Sequence, residues 1–397
     1  MKKTLVAIAA LASVSAFAQV TLTGNLDVGL QMHDFKGNAV TTSAGSNGSS
    51  TTAIFFRGTE DLGSGLKAHF QYEIDPALSE TGSKTAGTSA TGTTSNVTSS
   101  LGNGQSFIAV EGGFGKIAFG LPNSATLSAN GDGNGGFATA VGSGYRVSSF
   151  DAVRFQNSLR YDTPSFNGFS ASYLTVNKND KQGNTAITGL TGNAQNQTQG
   201  RDAVTELGLA FAQGPISVRY ANLQIKQYAK VDITTAASAA GGAYLYPTWT
   251  ATTGQAFTLK TLSAKYDIGS MGSVSLFSQK ASSDLLSGVS LATAAGRKFD
   301  RATTGLAGSY NVSPAIKLMA NRQVVKIGDE TGNSTTDSTQ TTVTGFGVDY
   351  MLSKRSTIYY RTETDKDLAG VRSITGYTAA TGNTTYNATA IGVRHTF

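Results

Sequence analysis

Apolar residues in this sequence return at every second position in short runs, and no later segment holds an apolar stretch long enough to cross a bilayer as a helix. The cleanest run is Leu66 to Ile74, where Leu66, Ala68, Phe70, Tyr72 and Ile74 alternate with Lys67, His69, Gln71 and Glu73. A period of two belongs to an extended strand whose successive side chains point to opposite faces. The runs come in pairs about tight turns, at 60–65, 112–113, 164–168, 213–215, 267–272, 311–315 and 352–356. Polar segments separate the pairs, at 34–51, 75–104, 121–149, 177–201, 227–256, 280–299, 327–341 and 364–384. Eight long connections alternating strictly with seven short ones require about sixteen antiparallel strands, with both chain ends on the short-turn side; losing one hairpin would leave fourteen. A soluble sandwich has no reason to keep all its long loops at one end. The expected fold is therefore all-β, a transmembrane antiparallel β-barrel with long external loops and short periplasmic turns.

The N-terminus sets the compartment. Lys2 and Lys3 precede the apolar run Leu5 to Ala12, and Ala16 and Ala18 stand at the two positions a signal peptidase reads. The expected division is a signal peptide over 1–18, cut after Ala18, and one barrel domain over 19–397, of 379 residues. With no cysteine, neither disulfides nor thiolate metal sites hold the fold. Hydrophobic content of 39% would suggest disorder if scattered, but its alternation lets one half of each strand face lipid and the other water. Removing the two leader lysines lowers the net charge from +6 to +4, too small and dispersed for nucleic acid.

No catalytic or cofactor site is expected. The histidines, His33, His69 and His395, lie far apart, and neither HExxH nor GxSxG occurs. Gly131, Gly133 and Gly136 spell GxGxxG, yet no helix pattern opens behind them, so the stretch reads as a flexible loop tip and not as a phosphate cradle.

The last strand, Tyr386 to Phe397, puts Thr389, Ile391, Val393, His395 and Phe397 on one face and ends the chain on an aromatic. It resembles the terminal strand of Gram-negative outer-membrane proteins, whose final Phe is an assembly signal; His395 replaces the aromatic usual two residues earlier. The hairpins IFFRGTEDLGSGLKAHFQ, SFIAVEGGFGKIAFG and NSLRYDTPSFNGFSASY resemble the general porins of beta-proteobacteria. That resemblance implies sixteen strands, a homotrimer, and a third loop folded into the lumen as a constriction. It also implies an outer-membrane location, contact with lipid and lipopolysaccharide, delivery by the barrel-assembly machinery, and passive diffusion of small hydrophilic solutes and ions. Two other functions stay open: a substrate-selective channel, and a plugged barrel serving as adhesin or structural anchor. An outer-membrane hydrolase is disfavoured because no nucleophile is paired with a histidine.

Charge on strands should point away from lipid, since a basic side chain at the bilayer midplane costs about 2–4 kcal/mol. Arg57, Lys67, Lys116, Arg154, Arg160, Arg219, Lys265 and Arg361 all have lumen parity, as do Glu73, Glu111 and Glu206. The third loop holds one acid, Asp132, and one base, Arg146. The resemblance places basic wall residues across from that loop, with Arg57, Arg154 and Arg160 as the ladder, while the several loop acids usual in the family are missing. A mild anion preference is the resulting expectation.

Overall fold

The computed structural model describes residues 19–35, 40–76, 104–138, 140–144, 154–155, 157–176, 204–228, 232–235, 247–250, 255–283, 299–328, 339–366 and 385–397. Residues 1–18, with the expected cleavage positions Ala16 and Ala18, and Arg146 in the third loop lie outside the described residues.

The first strands are β1 (Gln19–Phe35), β2 (Thr41–Ser46), β3 (Ala53–Gly63), β4 (Leu66–Ile74), β5 (Ser106–Gly112) and β6 (Gly115–Leu121). A helix, α1 (Ala125–Gly133), follows, then β7 (Ser158–Asp162), β8 (Phe169–Val176), β9 (Val204–Gln213) and β10 (Ile216–Tyr228). Two short strands, β11 (Asp232–Thr235) and β12 (Pro247–Thr250), pair only with each other. The last are β13 (Gln255–Asp267), β14 (Gly272–Ser283), β15 (Phe299–Ser313), β16 (Ile316–Gly328), β17 (Thr339–Met351), β18 (Ser356–Lys366) and β19 (Tyr386–Thr396).

Apart from β11 and β12, each strand pairs antiparallel with its neighbours, and β19 closes on β1 from Asn25↔Thr396 to Phe35↔Tyr386. At the seam, Gly24 and Phe397 exchange both backbone hydrogen bonds, at 3.1 and 3.0 Å. β2 and β3 share one place: β1 pairs with β2 from Val28↔Ser46 to His33↔Thr41, and with β3 from Gln19↔Thr59 to Asn25↔Ala53. The barrel thus has sixteen staves, the second one broken. Closure leaves no unpaired edge, which is what lets strands cross a medium that offers no hydrogen bonds.

Short turns join the staves at one end. In the β3–β4 turn, Gly63, Ser64 and Gly65 all have positive φ, from 53° to 80°, a conformation that glycine adopts without strain. The outward rows are apolar: Leu262, Tyr266, Val274, Leu276, Leu306, Tyr310, Phe346 and Tyr350 are each 42–58% exposed on β13, β14, β15 and β17. So continuous an apolar belt is tenable only against lipid. Tyr161, Phe169, Phe211, Tyr266, Tyr310 and Tyr350 sit at the short-turn ends of their strands, where an aromatic girdle belongs.

Four expectations are corrected. Residues 41–46, read as loop, are strand, because Thr, Ser and Gly satisfy the ladder without any apolar alternation to reveal it. The third loop contains α1, and the glycine-rich stretch runs through the end of that helix into a turn. The segment after β10 carries the β11–β12 hairpin. Arg154 lies in an isolated bridge to Asn123, since β7 begins only at Ser158.

The facing predicts opposite outcomes for one charge. Leu276→Arg should cost about 2–4 kcal/mol in urea unfolding from lipid vesicles, and Thr59→Arg, on the watered face, about 0.5 kcal/mol or less.

Candidate functional site

The third loop enters the lumen and lies along the inner wall. Ser124 caps α1 by accepting from the Leu127 amide at 3.0 Å. Glu206 on β9 accepts from the amides of Ala125 and Thr126 at 2.6 and 2.9 Å and from the Thr126 hydroxyl at 2.6 Å. A carboxylate at a helix N-terminus meets both the orphan amides and the positive end of the helix dipole. Further along, Asn130 meets Gln279 of β14 at 3.3 Å, and Asp132 takes Arg219 of β10 at 2.5 Å.

Past the helix the loop continues to the far side of the barrel. Phe137 is fully buried, with the Arg361 guanidinium 5.7 Å from its ring centre. Glu363 on β18 accepts from the amides of Gly142 and Gly144 at 2.8 and 2.9 Å. Asn321 and Gln323 of β16 donate to the carbonyls of Gly142 and Ser143 at 3.1 and 2.8 Å. A Cβ on Gly345 of β17 would collide with the Gly142 carbonyl, so this glycine lets the loop backbone touch the wall. These contacts share one face, the one opposite the apolar belt, which puts the loop inside. The third loop therefore covers the wall from β9 to β18.

A second insert covers the seam. Between β2 and β3, the amides of Ser49 and Ser50 donate to Asp27 of β1 at 2.9 and 2.7 Å, and Tyr359 donates to the same carboxylate at 2.6 Å. Arg394 of β19 holds the Ser49 hydroxyl at 3.0 Å. Among the described residues, most of the inward face of β3–β6 is covered by neither insert.

That open arc carries three of the expected residues, each with a different neighbourhood. Lys67 stands opposite Asp61 and Glu111, and Lys116 opposite Glu111 and Asp162, with 3.8 Å to Asp162. Arg57 donates to Gln71 at 3.0 Å and Thr23 at 3.1 Å and lies 4.0 Å over the Phe55 ring. Gln71, Thr23 and Phe55 are all neutral. Beside the arc, Arg160 on β7 pairs with Asp162 at 2.6 Å and donates to the Asn123 carbonyl at the root of the third loop.

The remaining expected residues act elsewhere. Arg154 is a clamp and not a rung of an open ladder: it donates to Asn123 at 2.7 Å and pairs with Glu73 at 3.5 Å and Asp75 at 4.0 Å. Asp132 is neutralised by Arg219 on the covered wall. His395 and Phe397 lie at the seam, with His395 in contact with the Ser356 hydroxyl at 2.9 Å. Parity alone missed Asp27, Glu363, Asn321 and Gln323, whose partners are loop backbone groups that sequence does not place. A polar side chain at a lumen position midway along a strand is the available signal.

Burial, reinforced by the nearby Glu73 charge, raises the Asp75 carboxyl to about 7, although Arg154 opposes the shift. A raised carboxylate favours the folded state when protonated, so its contribution is complete below the ordinary value near 3.8 and fades as pH climbs to about 7. Asp75→Asn should flatten that part of the melting-temperature profile between pH 4 and 7 (the window the raised carboxyl spans). Glu363→Ala should strand two loop amides, at about 1–3 kcal/mol each. Single-channel recordings of this variant should show noisier open currents and closure at lower voltage than the parent.

Comparison with known proteins agrees with the geometry. A family model described as Gram-negative porin matches residues 4–369. Major outer membrane protein P.IB of Neisseria lactamica is 34% identical over 193 residues, 46% of this chain and 52% of the relative. The same protein from Neisseria meningitidis serogroup A is 36% identical over 181 residues, 43% and 49% of the two chains. The chain thus spans about half the length of the curated relatives it matches. Among solved structures, an anion-selective porin from Comamonas acidovorans superposes with a TM-score of 0.65 at 20% identity, covering 96% of this chain and all of that one. The trimer form of Vibrio cholerae OmpT gives 0.59 at 15%, covering 96% and 99%. With the family model spanning nearly the whole length and the strands closing into a sixteen-stave ring, this chain belongs to the Gram-negative porin family of the outer membrane.

Proposed function

We propose that the lumen is a water-filled channel for passive diffusion of small hydrophilic solutes and ions, with a mild preference for anions. Arg57 is the observation that carries the preference: it lies on the open arc against the neutral Gln71, Thr23 and Phe55. The acids that could oppose it are largely engaged, Glu206 and Glu363 by loop amides and Asp132 and Asp349 by arginines. An anion about 7 Å from one guanidinium at an effective dielectric of ~20 gains about 2 kcal/mol before screening. A quarter of that raises anion occupancy about twofold to threefold. The pairing of Lys116 with Asp162, and the acids that stand across the strands from Lys67, keep the preference mild. The Comamonas acidovorans protein, whose name describes it as anion-selective, fits the same reading.

No described cluster of histidines and acids could hold a metal, and the reading involves no reaction and no cofactor. We further propose that the protein is a homotrimer, as one Vibrio cholerae neighbour is described. Lipid and lipopolysaccharide surround it, and its His395–Phe397 end is read by the barrel-assembly machinery.

Reversal potentials across planar bilayers in a salt gradient test the selectivity. The parent should favour anions, and Arg57→Gln should shift the potential toward cation preference by about a twofold change in permeability ratio. A parent that prefers cations, or an Arg57→Gln variant with an unmoved potential, would overturn the assignment.

A further inference from the structure

Small side chains line one stretch of the inner wall. Ser170 and Ser172 of β8 and Gly208 and Ala210 of β9 share the inward face, with Ser172 opposite Gly208 and Ser170 opposite Ala210. The next inward row toward the long loops is bulky, running Arg160, Leu174, Glu206 and Leu223. α1 lies across this wall. A Cβ on Gly208 would collide with Ala125 of α1 and with the Ser172 hydroxyl, so the first turn of the helix already rests on the wall at this glycine. Between wall and helix remains a recess of about 160 Å³, with Ala125 and Ser128 on its helix side. A cavity near that size holds a benzene-sized molecule, or about six to eight heavy atoms.

The two sides of the recess carry opposite charges with bonding capacity to spare. On β10, Arg219 gives its Nε to Asp132 at 2.5 Å, and its two terminal nitrogens have no acceptor among the described residues. On β7, Asp162 accepts Nε and Nη2 of Arg160 on Oδ1 at 2.9 and 2.6 Å. Its Oδ2 has Lys116 3.8 Å away and takes no hydrogen bond among the described residues. Arg160 is fully committed, since its remaining nitrogen donates to the Asn123 carbonyl. Three strand spacings separate β7 from β10, about 14 Å of wall, and the two side chains shorten that gap from both sides.

This alternation of charge selects the occupant. A plain anion at Arg219 would meet the Asp132 carboxylate, and a plain cation at Asp162 would meet Arg160 and Lys116. A solute bearing both charges satisfies the two sides together, through charge-assisted hydrogen bonds, and adds no net charge to the recess. The hydroxyls of Ser170 and Ser172 offer neutral partners between them. We propose that the recess under α1 is a subsite for a small zwitterion, a free amino acid with a short side chain, whose carboxylate meets the Arg219 guanidinium and whose ammonium meets Asp162. The subsite deepens the reading of the lumen as a water-filled channel and rests on it in one respect, that water reaches the recess from at least one end.

The test measures binding of L-alanine to the folded protein in detergent micelles by saturation-transfer NMR, beside single-channel recordings of the same preparation in planar bilayers. The parent should bind L-alanine in the millimolar range, and propionate and ethylamine, which each keep one of its charges, roughly tenfold more weakly or less still. Arg219→Gln and Asp162→Asn should each weaken L-alanine binding roughly tenfold, and Arg219→Gln should leave ethylamine binding unchanged. Ala210→Leu fills the recess without removing a charge and should abolish L-alanine binding, which decides the matter if a charge variant does not fold. Propionate bound as tightly as L-alanine would make this a plain anion site and overturn the proposal, as would undiminished L-alanine binding in Ala210→Leu. A conducting parent that binds no L-alanine overturns the subsite and leaves the channel standing; a parent that binds L-alanine and passes no current does the reverse.

Discussion

A backbone in hydrocarbon has no solvent to accept its N–H groups, so each must find a partner in the protein, and a sheet achieves this only by closing on itself. Closure between β19 and β1 is the interaction on which the other features depend. Once the ring is closed, strand alternation divides every side chain between lipid and lumen, and a slip of one residue would exchange the two faces. The apolar belt, the girdle of aromatics at the short turns and the inward charges all follow from that division. So does the tolerance for a broken second stave: β2 and β3 each keep their pairing to β1, and the six residues between them can leave the wall because their polar groups are met inside.

The interior is built by the opposite rule. No oily core fills the barrel, so the inserts are held by hydrogen bonds to charged groups of the wall. Such bonds are about twice as strong as neutral ones, and water competes with them poorly where the groups are buried. Glu206 fixes the entry of the third loop and Glu363 its far end, while Asp27 fixes the insert at the seam. Carboxylates that seem, on counting, to balance the lumen arginines therefore serve as anchors. The Arg154 clamp with Glu73 and Asp75 does the same on the returning side of the loop.

Alternation made the barrel legible because lipid imposes it on every stave. The hairpin positions, the sixteen places and the outward aromatics could all be read from period two and turn residues. What escaped was structure stabilised from a distance. The run ATLSANGDG has no apolar stripe and ends in glycine, so nothing in it announces α1; its N-terminus is held by Glu206, about eighty residues away in sequence. TTSAGS lacks the alternation of a lipid-facing stave, and it is a strand because β1 is already in place beside it. Arg154 has the parity of a pore-lining base, but its chemistry is set by Asn123 and Glu73, which only folding brings to it.

Net charge is a poor guide to a protein organised this way. The +6 of the sequence sums charges with separate work, among them ion pairs that pin the loops and residues that face the lumen. In the channel proposed above only the last would act on a permeating ion, and there Lys116 pairs with Asp162 and Lys67 faces Asp61 and Glu111 across the strands, while Arg57 stands against neutral partners. Low-dielectric walls focus the field of an uncompensated charge, so one arginine on the open arc outweighs several paired ones. On the proposed reading, the sign of selectivity depends on which bases have been left without a carboxylate by the folding of the loops, and not on how many bases the barrel contains.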